Sequence, residues 1–292
     1  VRAQLLIAVA FLFVGQNIEA KSKEWVTPEP FGGCKFFKRT MAFEGDTAKQ
    51  TACLLKKVKE QGGGAVEQPI PEWLRSHVGK QVDISDQKLK DYLNKQKIAA
   101  TDVGGPLAKG AAQKVRYFVI HDTSFPEIPE AKGFPADMDD PGYEWNDIAK
   151  KWKGSNLRLQ VNLIVSRDGR SHTYYAWGET RPRSATKLEL SGKTANIPEA
   201  RPLFVHVENI QPRLKPTNKW AWIAPPNGLS PKQEERLALL YITASYQAGT
   251  WLIPAYHFNI DQGIPQGHDD PQHMDLASWV GRIQAIHNLV EQ

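Results

Sequence analysis

The chain has 292 residues and a formal net charge of +5, from 37 Lys and Arg against 32 Asp and Glu. Its 41% hydrophobic and 24% charged residues are those of a globular protein, which excludes a disordered or collagen-like chain, and the length allows one or two domains with a sizeable core. Two cysteines exclude a disulfide scaffold and a four-cysteine zinc site, while the basic balance suits a polyanionic partner: nucleic acid, anionic lipid or an anionic cell-wall polymer.

Residues 1–20 have the anatomy of a secretory signal. Arg2 supplies the positive start, Leu5 to Val14 is an unbroken run of apolar residues and Ala, and Ala20 is a small residue at a cleavage point. The run is shorter than the roughly 20 apolar residues of a membrane span, and no second stretch reaches that length. The expectation is a chain exported to the periplasm or the extracellular space, with no integral span in its mature part. In such an oxidising compartment Cys34 and Cys53 can pair; two unpaired structural thiols are the alternative.

Residues 21–112 read as a smaller accessory region, mainly helical. It has Lys-rich helical stretches at Thr51–Gln61 and Ser85–Gln96, punctuated by Gly62-Gly63-Gly64 and Gly104-Gly105-Pro106. From residue 113 the texture changes to strands and helices. Strands are expected at Val115–Ile120, Leu157–Ser166, Ser171–Trp177 and Pro202–Asn209, with Arg167-Asp168-Gly169 turning the second into the third as a hairpin. A helix follows, with Ser230 as N-cap, Pro231 in its first position, Gln233 completing a capping box and Gly249 stopping it. Trp251–His257 returns as a strand, with Pro254 arguing for an edge strand or a strand end, and Asp275–Val290 closes the chain as a helix. This is an α/β pattern: a mixed central β-sheet flanked by helices, with a site along one sheet edge.

His121 and His257 each end an apolar strand. The loop before the last helix carries His268, Asp269, Asp270, His273 and Asp275. A strand-end His plus a His and a carboxylate from elsewhere is enough for a catalytic zinc site, which takes three protein ligands and leaves a position for water. Spacing alone also fits ordinary structural histidines, and no HExxH occurs. Of the rest, His206 lies two before Glu208 and can face the same cleft or solvent. His77, His172 and His287 have no evident partner, and Asp122 and Asp269 can orient neighbouring histidines. Among the nine tryptophans, Trp145, Trp152, Trp177, Trp220 and Trp222 can stack on sugar rings or fill the core.

The order of the segments VIHDTS, NLIVSRDG, FVHVEN, PKQEERLALLYI and HDDPQHMDLASW resembles the type 2 zinc-dependent N-acetylmuramoyl-L-alanine amidases, which share their fold with the peptidoglycan recognition proteins. The resemblance runs from Val115 to Val290. It implies a zinc amidase domain over residues 113–292, with His121, His257 and Asp270 as metal ligands. It implies Glu208 as the acid that activates water, and His268, standing where the family has Lys, as a donor to the oxyanion. The interval from His257 to Asp270 is longer than the family's. A second register therefore stays open, with His268 and Asp275 as ligands and His273 in the Lys place. The family's Tyr would fall near Val161 or Asn162, and its His after the hairpin near Ser184-Ala185-Thr186, so both are missing.

The function implied is hydrolysis of the amide between N-acetylmuramic acid and L-alanine of the stem peptide, with Zn2+ as cofactor and peptidoglycan or a muropeptide as substrate. Long loops at Phe125–Trp145 and Lys187–Arg201 would shape the cleft. The alternatives are a peptidoglycan-binding module without activity, a secreted antibacterial amidase effector and a different metallohydrolase. No basic run with interleaved aromatics argues for nucleic acid.

Overall fold

The computed structural model describes residues 32–59, 64–190, 197–217, 222–264 and 268–292. The signal expected at 1–20, Gly62, Gly63, Trp220 and the middle of the loop expected at 187–201 lie outside the described residues.

Residues 32–112 contain α1 (Thr47–Leu54), α2 (Glu72–His77) and α3 (Asp86–Lys95). Two short antiparallel pairs accompany them, Phe36–Phe37 with Ala42–Phe43 and Lys57–Val58 with Ala65–Val66. Asp46 and Ser85 cap α1 and α3 by accepting the backbone N–H groups of Lys49 and Lys88. The helix expected at Thr51–Gln61 starts earlier and stops at Leu54. Asn259 Nδ2 takes the carbonyls of Leu54 and Lys56 at 3.0 and 2.7 Å, so the chain turns there and Lys57–Val58 pair as a strand. Cys34 and Cys53 are joined as a disulfide with their Cα atoms 5.8 Å apart.

The central sheet has five strands: β1 (Tyr117–Asp122), β2 (Leu163–Val165), β3 (Ser171–Thr173), β4 (Phe204–Asn209) and β5 (Ile253–Tyr256). Their order is β5-β1-β4-β2-β3. The first four run parallel and β3 returns antiparallel to β2, so the sheet is mixed as expected and the hairpin forms. Pro254 lies on the edge strand, where its missing N–H leaves no central ladder bond unmade. The strands are shorter than the apolar runs. Asn156–Leu159 and Pro198–Leu203 coil as 3-10 turns ahead of β2 and β4; Pro198 and Pro202 cannot donate to a ladder.

The two sheet faces are covered by different parts of the chain. On one lie α4 (Pro231–Ala248) and α6 (Leu276–Val290), where Phe118 meets Tyr241 and Trp279 with ring centres 5.4 and 6.5 Å apart. The capping box of Ser230 and Gln233 starts α4, and Gly249, at φ +83°, ends it in the left-handed region that favours glycine. On the other face Phe36 and Phe43 pack edge-on, Phe43 meets Tyr117 and Tyr117 stacks on Phe204 at 4.9 Å. One buried hydrophobic cluster therefore includes residues from Cys34 to Val290, and Ile148, Trp152, Ile164 and Ile210 form a second. Between β5 and α6 a short helix, α5 (His257–Asp261), begins with His257; that residue opens a helix and does not end the strand. Among the described residues no helix is long and apolar enough to cross a membrane.

Two stability outcomes follow. Replacing Ser230 by Ala removes both the cap to Gln233 N and the bond that Ser230 Oγ donates to Arg167 O, and lowers stability by about 1–2 kcal/mol. Replacing both cysteines by Ser frees a 19-residue loop in the unfolded chain and costs about 3 kcal/mol. Urea unfolding measures both.

Candidate metal centre

Strand register assembles the site. In the parallel ladder His121 on β1 lies opposite Glu208 on β4, and Ile120 lies opposite Tyr256, so His257 follows directly beside His121. Three functional side chains thus stand in a row at the carboxyl ends of parallel strands, the usual place for a site on such a sheet. The fourth, Asp270, arrives on the loop before α6. Its carbonyl accepts Phe258 N at 2.9 Å, and its Oδ2 accepts Asp122 N at 3.2 Å.

His121 Nδ1 and His257 Nδ1 face each other at 2.9 Å. Asp270 Oδ1 lies 3.0 Å from His257 Nδ1, and Asp270 Oδ2 lies 3.6 Å from His121 Nδ1. One ligand atom from each of the three residues therefore fits within a sphere suited to a metal ion, and all three residues are buried. Each ring is held from behind. His257 Nε2 lies 3.0 Å from Asp261 Oδ2, and His121 Nε2 lies 2.7 Å from His206 Nδ1. Two nitrogens facing at 2.9 Å have room for a single hydrogen between them. Asp270 Oδ1 is buried without a hydrogen-bond partner. Two imidazoles and a carboxylate, with one acceptor left over, are the donor set of a zinc site with an open position, so the residues fit the metal.

The electrostatics agree. Burial, with His257 and His206 alongside, holds His121 well below the ordinary imidazole range. Burial also disfavours the charged form of His257, but Asp270 and Asp261 outweigh it and push that ring well above the range. The centre thus attracts one positive charge. Glu208 is raised well above the usual carboxylate range by burial, then by Asp270 and Asp122. Behind them, burial and Arg181 lower His206 to about 4, so it is neutral at pH 7.

A cavity of 310 Å³ opens over the cluster. It is lined by His121, His257, Asp270, Glu208 and His268, with Phe125, Trp222 and Val161 among its walls. His268 stands at the rim, its side chain 64% exposed and its Nδ1 3.8 Å from Asp270 Oδ1. The second register is not assembled. Asp275 caps α6 by accepting Ser278 N at 2.9 Å, His273 Nδ1 contacts Pro225 O at 2.8 Å, and both line a separate 820 Å³ cavity.

Other sequence expectations need correction. Neither Asp122 nor Asp269 orients a histidine. Asp122 takes Arg213 Nη2 on both oxygens, at 2.8 and 2.6 Å, and Gln272 N at 3.3 Å, tying down the turn that carries Asp270. Asp269 accepts Gln272 Nε2 at 2.6 Å. His206 does not line the cleft; it is buried behind His121. His77 stacks on Trp73 at 4.1 Å and His287 meets Asp83 at 2.9 Å, so both have partners. His172 packs edge-on against Tyr174. Of the tryptophans, Trp222 lines the cavity, Trp152 and Trp177 are buried, and Trp145 packs on Phe125. Asn162, near the place of the missing Tyr, is buried and accepts His206 N at 2.9 Å.

Sequence reasoning missed the groups behind the ligands. Asp261 follows His257 by four, the spacing that brings two side chains together on a helix, and was legible on that ground. Glu189 and Arg181 come from loops remote in sequence, and no local pattern marks them.

No protein-family model matches the chain, and no curated protein matches it. Among solved structures, the crystal structure of a selenomethionine derivative of AmpD aligns with 60% of this chain and 88% of that chain, at 14% identity and a TM-score of 0.30.

Titration with zinc is expected to show one ion per chain. Changing His121, His257 or Asp270 to Ala abolishes binding, while Asp275→Ala and His273→Ala leave it intact. Because the metal displaces the proton that His257 holds, zinc affinity falls as pH falls. Arg213→Met leaves Asp122 buried without its counter-ion, which lowers stability by about 3–5 kcal/mol and weakens zinc binding.

Proposed function

We propose that this chain is an exported, zinc-dependent amidase that hydrolyses the bond between N-acetylmuramic acid and L-alanine of the peptidoglycan stem. The observation that carries this reading is the buried meeting of His121, His257 and Asp270 beside Glu208 at the floor of an open cavity. The five ordered sequence segments that resemble the type 2 amidases bring the same four residues. Export is supported by the apolar run after Arg2 and by the Cys34–Cys53 disulfide, which an oxidising compartment preserves. The positive net charge suits an anionic wall polymer.

His121, His257 and Asp270 would hold the ion. Zinc, when bound, supplies the Lewis acidity that polarises a carbonyl and makes water nucleophilic near neutral pH. The remaining steps belong to the chain. Glu208 faces the same cavity with a carboxyl that keeps its proton more readily than an ordinary Glu. Once ionised, such a group is a stronger base than an ordinary Glu, and it would take the proton of the attacking water and return it to the departing amine. His268 at the rim presents a ring N–H to the oxygen that gains charge. Phe125, 39% exposed, and Trp222 offer apolar surface to the substrate at the mouth.

The test is digestion of purified peptidoglycan with products read by mass spectrometry. Free stem peptides beginning at L-alanine are expected, lost with a chelator and restored by zinc. Glu208→Ala is expected to keep its zinc and lose about 10²–10⁴-fold in rate. Tight binding to intact wall without cleavage would contradict the amidase and favour a recognition module.

A further inference from the structure

We propose that the segment Ser184–Leu190 is the outer clamp of the metal centre. Glu189, acting through His206 on His121, and Asp261, acting on His257, are positioning residues that decide which imidazole nitrogen faces the metal. The inference rests on the metal-centre reading above, not on the identity of the substrate.

The hydrogen bookkeeping starts at Glu189, which is fully buried. Its Oε1 accepts Arg181 Nη2 at 2.7 Å, and its Oε2 accepts Thr186 N at 3.2 Å and Thr186 Oγ1 at 2.9 Å. Every neighbour donates, so the group is a carboxylate with acceptors only. His206 Nε2 lies 3.1 Å from Oε2 but outside hydrogen-bond geometry, and the nearby carboxylate charge favours the hydrogen on that nitrogen. A neutral His206 then presents Nδ1 as an acceptor. His121 Nε2, 2.7 Å away, must donate to it, which leaves His121 Nδ1 as the lone pair aimed at the centre. One carboxylate thus sets the tautomer of a metal ligand through an intervening imidazole.

The second ligand is set more directly by the same segment. Asp261 Oδ2 accepts Lys187 N at 2.8 Å, and Asp261 Oδ1 accepts Leu188 N at 3.2 Å. Its Oδ2 also faces His257 Nε2 at 3.0 Å, which makes that nitrogen a donor and leaves Nδ1 as the nitrogen that gives up its proton to a metal. Ser184 Oγ donates to Glu189 O at 2.7 Å, closing the segment on itself. Its Ala185 lines the cavity, so one short stretch of chain both holds the ligands from behind and walls the place where substrate would enter. Partners of this kind orient metal-bound histidines and raise their basicity.

Cobalt(II) is the probe, titrated into metal-free full-length protein with its visible spectrum recorded. Wild type is expected to bind one ion. Glu189→Gln and Asp261→Asn each weaken binding about 10–100-fold and alter the spectrum. His206→Gln, whose amide oxygen can accept from His121 Nε2, retains more affinity than His206→Leu. Ser230→Ala, destabilised at the α4 cap that lines the separate 820 Å³ cavity, binds as wild type. Unchanged affinity and spectrum in folded Glu189→Gln would overturn the proposal. If that variant does not fold because Arg181 is left unpaired, the two His206 variants decide, and equal affinities would overturn it. Wild-type protein that takes up no cobalt would overturn the metal-centre reading itself, and the clamp with it.

Discussion

A buried histidine can offer a metal only one nitrogen, and only if the other has somewhere to put its hydrogen. That requirement organises this molecule. His257 Nε2 donates to Asp261 and His121 Nε2 donates to His206, so both Nδ1 atoms turn inward to meet 2.9 Å apart. Asp270 completes the group with Oδ1, a buried oxygen that makes no hydrogen bond. A buried polar atom left unpaired costs about 1–3 kcal/mol, and a bound cation offsets that cost for all three ligands at once. Each neighbouring ion pair keeps one of these groups in place: Arg181 holds Glu189, and Arg213 holds Asp122 and through it the turn of Asp270.

The sheet supplies the positions that these bonds refine. Parallel pairing of β5, β1 and β4 brings His257, His121 and Glu208 side by side without any of them being near in sequence. The face of the sheet that carries Tyr117 and Phe204 is covered by Phe36 and Phe43, and Asn259 on α5 binds the carbonyls that end α1. Gly33 N also donates to Gln262 O at 2.7 Å, just after α5. The chain before residue 113 therefore braces the short helix that carries His257 and Asp261.

The strand and helix order was readable because apolar runs and caps are local. Ser230, Gln233 and Gly249 bound α4 where their chemistry says, and Pro254 marks an edge strand. Run lengths misled where prolines and turns intervene: Leu157–Leu159 and Pro202–Leu203 are apolar enough for strands, yet they coil before β2 and β4. His257 was read as a strand end because the residues before it are apolar, but the strand stops at Tyr256. The order of motifs along the chain singles out His121, His257, Asp270 and Glu208, and these four line one cavity. The groups behind them were not legible. Asp122 looked like a partner for a histidine and is instead the counter-ion of Arg213. His206 looked like a cleft residue and instead links His121 to Glu189. Such pairings depend on loops meeting across the fold, which no single-sequence period records.

The most direct test of this account is zinc X-ray absorption on the metal-loaded wild-type protein. The account predicts scattering from nitrogen and oxygen neighbours only, at about 2.0–2.2 Å, with the outer-shell pattern of two imidazoles. Sulfur in the first shell, an imidazole count other than two, or no retained zinc would contradict it.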